Sequence, residues 1–192
     1  MPPELDPKNF IQGAVARRGV VVEPLMVNGT VGLGGADAKD HTRLREPCLV
    51  SGTLLAEHCK FERGLQVNGK ATLNHVKIDG PCVSAGMLEA TETNFNGDLH
   101  IVAGGSAFLS KSRAQDLRLE VPEFKRKFLS WFTRWLRVAK ITLEDSSIRN
   151  VYVPKGAKVK VVLKGRSAMF GRIIGEGRVK DQRPTEKERK AT

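Results

Sequence analysis

Three consecutive segments of 17 residues decide the fold of this chain: REPCLVSGTLLAEHCKF (Arg45–Phe61), ERGLQVNGKATLNHVKI (Glu62–Ile78) and DGPCVSAGMLEATETNF (Asp79–Phe95). They align without gaps, and each has glycine at its eighth position. Apolar residues recur two apart between glycine or polar corners, which is typical of short strands and not of helix. A repeat of this length fits one coil of a β-solenoid, whose strands pair with the coils above and below at about 4.8 Å.

The same pattern continues on both sides of these segments. Upstream, beyond an expansion around residues 34–40, the same slots are filled by Leu25, Val27, Gly29, Val31 and Leu33. Downstream, the pattern fits if residues are inserted near Val102, and it resumes at Ile141 after a long interruption. We therefore predict an all-β, single-stranded β-solenoid of about seven coils over residues 21–179.

Two neighbouring slots of the repeat point into the tube and alternate in size from coil to coil. Large and small apolar residues exchange places in the pairs Leu54/Ala56, Ala71/Leu73, Leu88/Ala90 and Ala107/Leu109. Close packing inside a narrow tube requires such compensation. Inward slots also hold Cys48, Cys59 and Cys82, of which the first and last lie two coils apart, about 9.6 Å. A disulfide needs Cα atoms within about 7 Å, so we predict buried, unpaired cysteines.

The two-residue alternation stops after Glu120. The segment PEFKRKFLSWFTRWLRVAK (Pro122–Lys140) divides at helical spacing into an aromatic, apolar half and a basic half, and it begins with proline. We predict an inserted amphipathic helix over residues 121–139. Its aromatic face must be buried against another surface. Three alternatives are an anionic membrane surface, the protein's own solenoid and a partner. The residues predicted to bind a membrane or partner are Phe124, Phe128, Trp131, Phe132, Trp135, Leu136, Lys127, Arg134 and Arg137.

Composition limits the partners and the compartment. The 192 residues carry 32 Lys and Arg against 21 Asp and Glu, a net charge of +11, which favours an anionic partner. The aromatic residues gather in one amphipathic segment and not along a basic groove, which disfavours nucleic acid. There is no apolar run long enough for a membrane span and no signal peptide, and the three cysteines form no CxxC pair. We predict a protein of a reducing compartment, with a flexible segment 1–20 and a disordered basic tail 180–192.

Catalytic motifs are missing from the sequence. It contains no Ser-His-Asp motif, phosphate loop or HExxH, so we predict no enzymatic activity, cofactor or metal. One column of residues could still bind a transition metal, because His58, His75 and Glu92 should stack on the outer surface about 5 Å apart. A rigid column is not arranged around a shared centre, however, and a solvated polar ladder is the favoured interpretation.

The repeats and the closing segment VVLKGRSAMFGRIIGEG (Val161–Gly177) resemble the bactofilins, polymer-forming β-helix proteins of bacteria. The resemblance is carried best by LQVNGKATLNHVKIDGPCVSAGMLEATETNF (Leu65–Phe95) and by the pattern V-x-L-x-G-x-S-x-M-x-G-x-I (Val161–Ile173). It implies a right-handed β-helix in the cytoplasm, end-to-end polymerisation without nucleotide, and frequent membrane association. The basic insertion and the expansion around residues 34–40 depart from the regular coils of that family.

These features predict a non-enzymatic bacterial scaffold that assembles with itself through the ends of its solenoid. The helix over residues 122–140 would hold it peripherally at the inner membrane. The alternative is a capped solenoid that acts as an adaptor or effector and docks a membrane or protein partner through the same helix.

Overall fold

The structure is a computed structural model that describes residues 11–34, 41–102, 104–120, 138–165 and 168–184. In these residues the chain forms a parallel β-solenoid of about 8 turns. The first strands are β1 Ile11–Arg17, β2 Val20–Val21, β3 Leu25–Gly34, β4 Thr42–Leu44, β5 Cys48–Glu57, β6 Cys59–Phe61, β7 Leu65–Asn74, β8 Lys77–Ile78, β9 Cys82–Ser84 and β10 Met87–Thr91. The remaining strands are β11 Asn94–Phe95, β12 Leu99–Val102, β13 Ser106–Ser110, β14 Arg113–Glu120, β15 Val138–Glu144, β16 Ser147–Tyr152, β17 Lys158–Lys164, β18 Met169–Ile174 and β19 Gly177–Asp181.

Each coil contributes to three faces, and the equivalent strands of neighbouring coils pair in parallel. The first face contains the register column Leu25, Cys48, Leu65, Cys82, Leu99, Leu117, Val151 and Ile173. The second face contains Val31 and its partners, and the third contains Leu44 and its partners. The predicted register before the expansion at residues 34–40 is confirmed, because Leu25 pairs with Cys48 and Val31 with Leu54. After the long interruption, Ile141 continues the second face and pairs with Ala107.

The corner between the first and second faces is a column of glycines. Gly29, Gly52 and Gly69 have φ values of +146°, +135° and +134°, which only glycine adopts readily. A Cβ built on Gly52 would lie 2.1 Å from the carbonyl oxygen of Gly29 in the preceding coil, and the same distance recurs between Gly69 and Gly52. The eighth slot of the repeat is therefore glycine because the coils approach too closely for any side chain.

The corner between the second and third faces uses a left-handed residue in five successive coils of the described chain. These residues have φ values between 47° and 53° and are His58, His75, Glu92, Lys111 and Asp145. The next residue points inward, and where it is Thr93, Ser112 or Ser146 its hydroxyl donates to the carbonyl two residues earlier, at 2.8–3.0 Å. The hydroxyl thus gives a hydrogen-bond partner to a backbone carbonyl oxygen at the tight corner.

The core is the narrow, mostly aliphatic tube that the alternation predicted, in which Phe61 and Phe95 are also fully buried. Leu54, Ala71, Leu88 and Ala107 are consecutive partners in one column, and Ala56, Leu73, Ala90 and Leu109 are partners in the next. All eight are at most 2% exposed. A large side chain lies beside a small one both within each coil and between neighbouring coils. This arrangement fills the tube without steric overlap.

The predicted number of coils and two predicted boundaries are wrong. The solenoid has about 8 turns and not seven. Strand β1 lies inside the segment predicted to be flexible, because Ile11–Arg17 pairs along its length with β3. Val138 and Ala139, predicted as the end of the helix, begin strand β15 instead, and Ala139 is fully buried beside Val159. The described residues contain no helix, and the rest of the predicted helix, 121–137, lies outside them.

Candidate functional site

The residues predicted to bind a membrane or partner fall in the part of the chain that the structure does not describe. The chain leaves the solenoid after Glu120, at the end of β14, and returns at Val138, at the start of β15. The predicted residues that lie between these points, outside the described ranges, are Phe124, Phe128, Trp131, Phe132, Trp135, Leu136, Lys127, Arg134 and Arg137. Within the described ranges, no helix has the length and apolar character needed to cross a bilayer.

The two ends of the solenoid present unpaired strand edges and apolar side chains. Among the described residues, β1 and β2 pair only toward the second coil, and β18 and β19 pair only toward the preceding coil. Nine large apolar residues of the described ranges are exposed, and six of them belong to these end coils: Ile11, Val20, Val22, Met169, Ile174 and Val179. An unpaired edge of this kind is a template for pairing with another chain.

A basic column on the third face is neutralised by an acidic column beside it. Arg43 bonds Glu62 at 2.8 Å, and Lys60 bridges Glu62 at 3.5 Å and Asp79 at 3.2 Å. The hydrogen bond from Arg43 lowers the pKa of Glu62. Partial burial works against ionisation of Asp79, but hydrogen bonds from Asn96 and Lys60 outweigh it and lower the pKa. The protein thus balances this stack of like charges internally.

A second basic column, on the second face, has no such balance. Lys140, Lys160 and Arg178 are direct register partners in successive coils, and none of them forms an ion pair within the described residues. Like charges directly opposite one another in a sheet are destabilising, so this column favours an external anion. From residue 138 to 184 the described residues contain ten Lys and Arg against four Asp and Glu, a net charge of +6. Sequence reasoning missed the column, because only the register aligns residues that are separated by coils of unequal length.

The predicted ladder of His58, His75 and Glu92 is present at the left-handed corner. The two imidazole rings stack with centroids 4.8 Å apart, and His75 Nε2 lies 2.6 Å from Glu92 Oε2. Lys111 Nζ follows in the next coil, 3.4 Å from Glu92 Oε1. These side chains follow one another along the solenoid, and no group of three or more His, Cys, Asp or Glu among the described residues is arranged to hold a metal ion.

The three cysteines are free and buried, as predicted. Burial raises the pKa of each thiol, to about 12 for Cys48, Cys59 and Cys82. The reactive form of cysteine is the thiolate, so these residues pack as small apolar groups and are not nucleophiles.

Comparison with known proteins places the chain in no family: no family model, curated protein or solved structure matches it. The class that the fold defines is therefore the parallel β-solenoid, and the candidate sites are the two ends of the stack and the basic column of the second face.

Proposed function

We propose that this protein is a non-enzymatic scaffold, similar in kind to the bacterial bactofilins, that assembles in the cytoplasm through the ends of its solenoid. The observation that carries the proposal is the concentration of exposed large apolar side chains in the first and last coils. Of these side chains, Ile11 and Val179 continue inward columns of the tube, and burying them against a second copy contributes about 25 cal/mol for each Å² of apolar surface. The same contact supplies hydrogen-bond partners for the open strand edges.

The test is the assembly state of the purified chain, measured by light scattering over a range of concentrations and by negative-stain microscopy. The wild-type protein should form end-to-end oligomers or filaments. Val179→Lys places a charge at an end where the side chain is 47% exposed, and it should reduce assembly. Leu55→Lys is the matched control, because Leu55 is 54% exposed but lies in the middle of the stack. A wild-type protein that stays monomeric at all concentrations refutes the proposal.

A second candidate function is docking to an anionic membrane surface, as an adaptor. The observation that favours it is the unneutralised column of Lys140, Lys160 and Arg178, which begins where the predicted aromatic segment rejoins the solenoid. Each Lys or Arg near an anionic bilayer contributes about 1 kcal/mol of attraction. The segment over residues 122–140 would add its aromatic side chains to that surface.

Sedimentation with vesicles tests this candidate. Binding to phosphatidylserine-containing vesicles, but not to phosphatidylcholine vesicles, is expected. Lys160→Gln should weaken it, whereas Lys70→Gln, in the same column but paired with Glu89 at 3.0 Å, should not. Trp131→Ala with Trp135→Ala tests the contribution of the predicted helix. Equal binding by all variants, or none by the wild type, removes the membrane function.

A further inference from the structure

The two ends of the second face carry complementary residues in the same register positions. We propose that copies of this protein assemble head to tail, with strand β1 of one copy (IQGAVAR, Ile11–Arg17) pairing in parallel with GEGRVKD (Gly175–Asp181) of the next copy. The inference rests on the proposed self-assembly and adds its polarity and register, which that proposal leaves open.

The register follows from the strand pairings within one copy. Val15 of the first coil and Val179 of the last are the two ends of a single inward column: Val15, Val31, Leu54, Ala71, Leu88, Ala107, Ile141, Val161 and Val179. A stacked copy that continues the solenoid therefore places Val15 on Val179. The remaining residues of Ile11–Arg17 then pair one to one with those of Gly175–Asp181.

Opposite charges terminate the neighbouring inward column. Its internal members are all Leu or Ala, whereas Arg17 occupies its N-terminal end and Asp181 its C-terminal end. Head-to-tail stacking brings them together at the strand spacing of about 4.8 Å. Arg183 already bonds Asp181, with Nε 2.9 Å from Oδ1. Both oxygens of that carboxylate already accept from Arg183, so Arg17 would add a second cation beside Asp181 by charge attraction and not by filling an empty acceptor position.

The side chains beside this pair also fit one another. Ala14 and Ala16 would lie next to Arg178 and Lys180, which gives the long cations room and sets no like charges opposite one another. At the glycine corner, a Cβ on Gly13 would meet no atom within 4 Å, although the equivalent glycines of the next three coils lie against a carbonyl. The open space at Gly13 is on the side where another copy would stack.

The reversed arrangements lack this fit. A tail-to-tail contact brings together two ends that each carry a net charge of +6 in residues 138–184 as far as the structure describes them. A head-to-head contact places Arg17 of one copy near β1 of another copy. Strand β1 contains no acid, so Arg17 finds no opposite charge there. One isologous contact by itself closes after two copies, whereas one head-to-tail contact repeats and by itself builds a filament.

Disulfide trapping tests the polarity directly. Ala16→Cys and Lys180→Cys place one exposed thiol at each end, and adjacent strands hold Cα atoms within the range of about 4.4–6.8 Å that a disulfide accepts. The native cysteines, with pKa raised to about 12 by burial, should not interfere. We expect a cross-linked dimer on mild oxidation when the two variants are mixed, and none when either is oxidised alone.

A charge variant provides a second measurement. Arg17→Glu should raise the concentration at which scattering begins by about tenfold, since it removes one charge pair and sets two acids together. Arg18→Glu, outside strand β1, should leave that concentration unchanged. Arg17→Asp combined with Asp181→Arg in one chain should recover assembly.

The outcomes separate the two proposals. Filaments whose mixed cysteine variants do not cross-link, or whose single variants do, overturn the head-to-tail register and leave self-assembly standing. A wild-type protein that forms no oligomer refutes both.

Discussion

Replacing Gly52 by alanine should destabilise the solenoid strongly, because two independent penalties coincide there. The residue has φ +135°, a conformation that costs other residues about 1–3 kcal/mol. The new Cβ would also lie 2.1 Å from the carbonyl oxygen of Gly29, so adjacent coils must separate, and overpacking of this kind costs about 1–3 kcal/mol. The expected loss is therefore about 2–6 kcal/mol in the free energy of unfolding.

Thermal unfolding followed by circular dichroism measures this loss. For a chain of this size 1 kcal/mol corresponds to about 2–4 °C, so Gly52→Ala should lower the Tm by about 5–20 °C. Gly32→Ala is the matched control, since a Cβ there meets nothing within 4 Å and no left-handed φ is required. Its Tm should be unchanged or slightly higher. Equal Tm values for the two variants would show that close approach of the coils does not dictate the glycine column.

Three further predictions follow from the core and the charges. Leu73→Ala should cost about 2–5 kcal/mol and Ala71→Leu about 1–3 kcal/mol, but the two together should cost less than their sum, as measured by urea unfolding. The three buried cysteines should resist alkylation at pH 8 in the native protein and all react in guanidinium, which mass spectrometry counts. The lowered pKa of Asp79 means that it stabilises the folded state above its unfolded pKa and that this stability is lost as the pH falls through the folded pKa. The acid side of the Tm–pH curve should therefore flatten in Asp79→Asn; an unaltered curve would contradict a contribution from its bonds to Lys60 and Asn96.

The insertion shows where sequence reasoning stopped being sufficient. Val138 and Ala139 fit the apolar half of a helix, and they fit a strand equally well. Pairing with Lys158 and Val159 in the next coil decides for the strand. A similar limit applies to the N-terminus, where the short strand of Ile11–Arg17 has too few large apolar residues to stand out until β3 is placed beside it.

The sequence by itself determined the solenoid, its inward slots and its buried cysteines, because a repeat of 17 residues with glycine at one slot and alternating volumes at two others is a local pattern. Only the tertiary structure decided which residues from distant coils lie together. It aligned Lys140 with Lys160 and Arg178, and it put Arg17 and Asp181 at opposite ends of one column. Coil length varies between these residues, so their register is fixed by hydrogen bonds between neighbouring strands and not by spacing along the chain.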